Sequence, residues 1–422
     1  ALRIVGDRIA DVGPTSVLAA RYPQDDVLDA EGQLVMPGMV CAHTHFYGAF
    51  ARGMALPGPA PRDFPQILER LWWRLDKALT LEDVRASAEV CLVDAIRHGV
   101  TTLFDHHASP HAVEASLETI AQAARQAGVR VCLCYEVSDR DGPQVAARGL
   151  EESGHFVRHA QRERDPLVAG MVGLHASMTL SDLTLEQAAG LVQDLGVGCH
   201  VHVAESEADQ RDALKRTGQR VVERLHRFGV LGPMSIAAHC VHVDGYEVDL
   251  LRQAGVLVAH NPRSNMNNAV GTAPVPSMLR RGVHVGLGND GFSNNLFVEM
   301  HVAYLVHKLA AGDPQAMPAD QVLDLVYGAN ARLAERYFPG PLGRLEVGAL
   351  ADVITVRYHP TTPLHRGNYP WHLLFGVDGT DVRTTIVGGR VLMREGQLLT
   401  LDEERITARS RELAKRLWER VA

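Results

Sequence analysis

An α/β chain folded as a (β/α)8 TIM barrel, with a small composite β-sandwich domain from its two flanks, is the fold this sequence predicts. Three observations predict it. Between Gly32 and Tyr337, eight short β-rich runs alternate with longer stretches of helical apolar spacing. Polar residues, histidines above all, recur at the carboxyl ends of those runs, where such a barrel carries its chemistry. Both flanks show only short strand patterns.

The elements follow in chain order. Ala1 to Leu28 opens on a hairpin pattern, Arg3-Ile-Val-Gly-Asp-Arg-Ile-Ala-Asp-Val-Gly, with Gly6-Asp7 at the turn. The first barrel strand is expected over Leu34–Ala42, and the Pro- and Gly-rich loop from Ala49 to Gln66 is expected to cover the barrel mouth. Leu81 to His98 has helical spacing, with Thr80 as N-cap and Gly99 as stop. Strand Val100–Asp105 then leads to a helix from about Pro110 to Ala127, stopped by Gly128. Strand Val129–Tyr135 is followed by a helical stretch through Arg158, and strand Gly170–His175 by a helix opened by Thr184 and ending near Gly196. Strand Val197–Val203 precedes a helix from Ala208 to Phe228. Strand Met234–His239 precedes one from Gly245 to Ala254. Strand Val256–His260, a short helix near Pro276–Arg281, strand Val283–Gly288 and helices to about Tyr337 complete the barrel. Strands over Ala351-Asp-Val-Ile-Thr-Val and Thr384-Thr-Ile-Val-Gly-Gly-Arg-Val-Leu are expected to pair with the amino-terminal flank, and Leu401 to Val421 reads as a charged terminal helix. The expected division is 1–35 and 341–400 for the β-domain, 36–340 for the barrel and 401–422 for the helix. The chain starts almost inside its first strand, so residues upstream of Ala1 are expected.

Composition narrows the function. A hydrophobic content of 46% with 22% charged residues is that of a globular protein. No apolar run approaches the ~20 residues of a membrane span, and no targeting peptide is visible at the start. The net charge of −8 argues against a nucleic-acid partner, because phosphate binding wants a basic face. Six cysteines lie mostly inside apolar runs without framework spacing, which reads as buried thiols in a reducing, cytoplasmic compartment.

The chemistry is expected where the strands end. His43-Thr-His45 places two imidazoles on one strand face, half of a metal site. His200-Val-His202-Val-Ala-Glu205 offers a second pair, with Glu205 just beyond the strand. Ser235-Ile-Ala-Ala-His239-Cys-Val-His242 ends the sixth strand, and Asp290 in Gly-Asn-Asp-Gly ends the eighth. Three neutral imidazoles and one carboxylate suit Zn²⁺ with an open position for water, while Fe²⁺ or Mn²⁺ accept the same donors. Singly, each residue has a structural alternative. A strand-end histidine can be hydrogen-bonded core, Asp290 a turn former and Glu205 a helix cap.

In strand order, His43-x-His45, His202-x-x-Glu205, His239 and Asp290 resemble the amidohydrolase superfamily, in its cytosine deaminase, guanine deaminase and chlorotriazine hydrolase branch. Pro37-Gly-Met-Val-Cys-Ala-His-Thr-His-Phe-Tyr, Leu71-Trp-Trp-Arg-Leu-Asp-Lys-Ala-Leu, Asp105-His-His-Ala-Ser-Pro and His260-Asn-Pro-Arg-Ser-Asn-Met-Asn-Asn are similar to the SsnA group of aminohydrolases, associated with purine catabolism. The resemblance implies His43, His45, His202 and Asp290 as ligands of one divalent metal, Glu205 as proton shuttle and His239 beside the attacking water. His200 then becomes a neighbour. Two-metal members use a carboxylated lysine, typically at the end of strand four; the four lysines here lie at no strand end, so one ion is expected. Homodimers or larger assemblies are common in this branch, although no sequence feature decides the state here.

The expected reaction is hydrolytic deamination of an amino-substituted, purine-like heterocycle, a cyclic amidine. Activated water attacks the amino-bearing ring carbon, with Asp290 accepting or orienting its proton. Glu205 protonates the adjacent ring nitrogen, His239 donates to the oxygen, and ammonia leaves. Around the substrate, His175, His106, His107, Asn261, Arg263 and Asn265 are expected at the mouth, and Trp72 and Trp73 can stack on a planar ring. Arg263 either binds a substrate acceptor or pairs with an acid. The competing readings are ring opening of a cyclic amide or displacement of another leaving group and, more remotely, non-catalytic metal binding.

Overall fold

The computed structural model describes residues 1–56 and 58–421. Pro57 in the expected mouth loop and Ala422 at the end of the terminal helix lie outside the described residues. Among the described residues, sixteen strands form three sheets. They are β1 Leu2–Val5, β2 Arg8–Val12, β3 Leu34–Pro37, β4 Met39–Thr44, β5 Val100–His107, β6 Arg130–Val137, β7 Val168–Gly170, β8 Val172–Ala176, β9 Cys199–Val203, β10 Ile236–His239, β11 Leu257–His260, β12 His284–Leu287, β13 Val353–Val356, β14 Val382–Val387, β15 Arg390–Arg394 and β16 Gln397–Leu398.

The barrel strands run in the order β12-β11-β10-β9-β8-β6-β5-β4, each pair parallel, with β7 a short annex on β6. Their residues are buried almost throughout, as expected when helices cover the outside and side chains fill the centre. The seam between β4 and β12 closes through a parallel bridge from Thr44 to Asp290. There the amides of Asn289 and Asp290 donate to the His43 carbonyl at 3.0 and 3.1 Å, and the His45 amide donates to the Asp290 carbonyl at 3.2 Å. Lower on the seam the buried Asn330 side chain replaces a missing rung. Its Nδ2 donates to the carbonyls of Val40 and Leu287, both at 2.7 Å, and its Oδ1 accepts from the Leu287 amide at 3.0 Å. A Cβ on Gly286 would fall 1.9 Å from that Oδ1, so only glycine leaves room.

The flanks form the composite β-sandwich. An antiparallel sheet, β16-β15-β14-β13-β3, faces the β1-β2 hairpin over a core of Ile9, Ala349, Ala351, Val353 and Ile386. The expected first strand Leu34–Ala42 is two strands. Leu34–Pro37 pairs with β13, and the chain enters the barrel only after Gly38. The break has a steric reason: a Cβ at Gly38 would lie 2.4 Å from Thr101 Cγ2. Arg130 at the base of β6 donates to Asp352 at 2.5 Å, and this buried ion pair ties barrel to sandwich.

Several helices differ from expectation at their ends. Leu81–Arg97 starts with a Thr80–Asp83 capping box, as the sequence suggests. The helix expected from Pro110 begins at Ser116, after Ala115 takes a left-handed turn at φ 61°. Ser181 rather than Thr184 caps Asp182–Leu195, and Gly218 divides the expected helix 208–228 in two. Helix Pro262–Asn267 was not expected. The terminal helix Glu403–Val421 packs on Leu81–Arg97, and Trp418 Nε1 donates to the Phe50 carbonyl at 2.8 Å. No helix of the described residues is long and apolar enough to cross a membrane.

Candidate metal centre and active site

β4 carries His43 to the barrel rim, and the next residue but one, His45, leaves the same face. Opposite them β9 presents His202. His45 Nδ1 donates to the His106 carbonyl at 2.6 Å, and His202 Nδ1 donates to the His175 carbonyl at 2.9 Å. A ring nitrogen on a carbonyl carries the hydrogen, so Nε2 of each neutral ring is a bare lone pair. These two Nε2 atoms face one another at 3.2 Å, where neither can donate. Two nitrogens at ~2.0–2.1 Å from one tetrahedral zinc ion stand about 3.3 Å apart, so the spacing suits a shared cation.

The remaining donors close around that point. His43 Nδ1 lies 2.8 Å from His200 Nε2, and its own Nε2 is buried without a hydrogen-bond partner. Asp290 Oδ1 is 3.2 Å from His45 Nε2 and 3.8 Å from His43 Nε2. Ser264 Oγ donates to the other oxygen of Asp290. Donor atoms of His43, His45 and Asp290 lie within 4.8 Å of one another, as do those of His43, His202 and His239. A buried, orphaned, nitrogen-rich set with one carboxylate is the donor chemistry of a divalent transition-metal site. Burial, and then the neighbouring histidines, keep His43 well below the usual imidazole range, hence neutral.

Two acid–base groups adjoin this set. His239 Nε2 lies 3.6 Å from Glu205 Oε2 and 3.7 Å from Asp290 Oδ2, while its Nδ1 donates to Asn265 Oδ1 at 2.8 Å. Burial first, and the Asp290 carboxylate second, push the Glu205 carboxyl well above its usual range, against the Asn268 amide that donates to it at 3.4 Å. Burial and the Asp290 charge therefore bias Glu205 toward its protonated form. Ala204, His239 and Asp290 all have left-handed backbone, with φ of 46°, 72° and 54°. Such residues cost about 1–3 kcal/mol each and persist where surrounding structure fixes them; here they turn side chains at three strand ends.

The expected substrate residues divide. His175 sits with Nδ1 on Thr179 Oγ1 at 2.6 Å and its ring edge on Trp73 at 6.2 Å, and burial lowers it to about 4. His107 bonds Ser109 Oγ at 2.9 Å and is lowered by burial to about 3. Trp72 packs on Tyr47, at 6.2 Å, and against Gly291. Asn261 is wholly buried, 2.4 Å from where a Cβ on Gly288 would be. Arg263 is committed elsewhere. Its Nε donates to buried Glu299 at 2.6 Å and Nη2 to the Ser293 carbonyl at 2.7 Å, so its fork is occupied by protein acceptors. A cleft of about 1020 Å³ bordered by Trp73, Glu69, Arg74, Lys77 and Arg420 contains none of the candidate ligands.

Sequence reasoning missed Glu136, Ser264 and Asn268. Glu136 accepts from His106 Nδ1 at 3.0 Å. Burial opposes its charge, but His175 and then His106 outweigh burial and hold the carboxyl well below the usual range. The signal was available: Cys132, Cys134 and Glu136 alternate on β6, and the expected strand stopped one residue short. Pro262 at a helix start was the clue to the segment carrying Ser264.

Imidazoles, a carboxylate and a second, buried acid gathered at the carboxyl rim of a (β/α)8 barrel define a barrel hydrolase with a divalent-metal centre. Residues 34–392 match the amidohydrolase family, and the chain belongs to it. Residues 1–24 match the imidazolonepropionase-like composite domain of bacteria. A 5'-deoxyadenosine deaminase of Methanosarcina mazei is 36% identical over 420 residues, covering 98% of this chain and 92% of its own length. A 5-methylthioadenosine/S-adenosylhomocysteine deaminase of Desulforudis audaxviator is 33% identical, covering 98% and 94%. Among solved structures, an adenosine deaminase from Xanthomonas campestris with bound zinc shares the fold with a TM-score of 0.87 at 23% identity, covering 99% of this chain and 93% of its own.

Proposed function

We propose that the protein is a zinc-dependent aminohydrolase that converts a 6-aminopurine ring, carried by an adenosine-type nucleoside, to the oxo form with release of ammonia. The observation that carries this reading is the buried Glu205 carboxyl, 3.6 Å from His239 Nε2, biased toward its protonated form by burial and by Asp290, at the edge of the inward-facing nitrogens of His43, His45 and His202. A site that only bound metal would need no acid there. The 6-aminopurine follows from the sequence relatives, whose names specify 5'-deoxyadenosine, 5-methylthioadenosine and S-adenosylhomocysteine.

In this reading His43, His45, His202 and Asp290 hold one Zn²⁺, which when bound supplies a nucleophilic water at neutral pH. Asp290 Oδ2, fixed by the Ser264 hydroxyl, takes the proton of the attacking water. Glu205 gives its proton to the ring nitrogen next to the amino-bearing carbon, so negative charge does not build on the ring. His239, whose Nδ1 donates to Asn265, presents the Nε2 lone pair as an acceptor that orients the attacking water, rather than the donor the sequence suggests. Proton return to the amine releases ammonia. Edge contacts of His45 with Tyr47, Tyr47 with His107 and Trp73 with His175 put aromatic side chains next to the donors, where they suit a planar base. Free, mostly buried thiols agree with a cytoplasmic location.

The test is ammonia release and ultraviolet change, measured together on zinc-loaded protein across adenosine-type nucleosides, free purines, pterins and triazines. Ammonia from 6-aminopurine nucleosides is expected. Ring opening or halide release without ammonia would move the chemistry to a different bond, and inertness to every compound with one zinc bound would sink the reading.

A further inference from the structure

Glu136 has no part in the roles above, yet it underlies them. Its side chain is buried beside the histidine cluster, 4% exposed, with Oε2 on His106 Nδ1 at 3.0 Å and Oε1 3.8 Å from His175 Nε2. Those two residues supply the carbonyls that fix the inward-facing rings. The His106 carbonyl takes Nδ1–H of His45, and the His175 carbonyl takes Nδ1–H of His202. The His106 ring also donates through Nε2 to the His200 carbonyl at 3.0 Å, and the His200 ring meets His43. Both nitrogens of His106 are engaged, so the ring cannot turn without breaking a hydrogen bond. Among the described residues, Glu136 is the carboxylate that faces both His106 and His175.

We propose that Glu136 is a positioning residue of the metal centre: through His106 and His175 it holds His45 and His202 in the tautomer and orientation that aim their Nε2 lone pairs at one point. The inference rests on the reading that this cluster binds the ion, and it concerns affinity rather than turnover. Groups that orient metal-bound histidines commonly change affinity by about 10- to 100-fold when altered.

The experiment uses the full chain stripped of metal, with zinc affinity read by competition against a chromophoric chelator and folding checked by thermal melting. Glu136→Gln keeps the shape and removes the charge; its zinc affinity is expected to fall about 10- to 100-fold. His106→Asn is expected to lose a similar factor, and the double variant to be little weaker than either single one, because the two act as a unit. Glu136→Asp retains the charge one methylene further back and is expected to lose less; it keeps the comparison open if the glutamine variant does not fold. Zinc affinity within twofold of the parent in Glu136→Gln, or fully additive losses in the double variant, would overturn the proposal. A parent chain that binds no zinc would instead overturn the metal reading itself.

Discussion

The Asp290 carboxylate stands 3.2 Å from Nε2 of His45, although one residue follows the last barrel strand and the other follows the first. The seam that closes the barrel carries three of the four candidate metal donors, His43, His45 and Asp290, and Asp290 also forms its bridge with Thr44. In the proposed reading, fold closure and metal binding are therefore coupled.

Removal of metal should be felt in stability as well as activity. Without a cation, the His45 and His202 lone pairs face each other at 3.2 Å with nothing between them to attract both. Treatment with a strong chelator is expected to abolish turnover and lower the melting temperature, and zinc to restore both. At a free zinc concentration of a hundred times Kd the gain is about 2.7 kcal/mol. Calorimetry with and without zinc checks this.

Glu205→Gln should separate binding from chemistry. The amide keeps the size of the side chain but has no proton to give to a ring nitrogen. Zinc stoichiometry by metal analysis is expected to stay at the parental value while kcat falls by about 10²–10⁴-fold. Near-parental kcat would remove Glu205 from the proton path.

The pH profile should report the same acid. Glu205 works in its protonated form, so kcat/KM is expected to fall as pH rises through its raised value. Asn268 donates to Glu205 Oε1 and favours the charged form. Asn268→Ala removes that donor, raises Glu205 further and is expected to move the alkaline limb to higher pH. A shift to lower pH would contradict the assignment.

Asn330→Leu should unzip the lower seam. The variant leaves the buried Leu287 amide and the Val40 and Leu287 carbonyls without a partner. A cost of about 3 kcal/mol is expected, since orphaned buried groups cost roughly 1–3 kcal/mol each and relax in part. Urea unfolding would read it as a lower midpoint at unchanged slope.

Much of the architecture was legible because it is written in local periodicity. Each parallel strand is a short apolar run, each covering helix a longer amphipathic one, and Thr80 and Gly128 act on their own neighbours. The split at Gly38 was hidden because both halves of Leu34–Ala42 have strand composition; the sheet each joins depends on Thr101 and β13, far along the chain. The start at Ser116 was hidden for a similar reason, since Pro110 to Ala115 are individually compatible with helix.

Residue types and spacings alone determined a barrel whose strand ends carry His43, His45, His202, Glu205, His239 and Asp290, because side-chain direction alternates along any strand. Tertiary structure decided which nitrogens turn inward, that Arg263 is spent on Glu299, and that Glu136 meets His106 beside the cluster. A ring's tautomer is set by the carbonyl it meets, and that carbonyl belongs to another strand, brought alongside only by the register of the closed sheet.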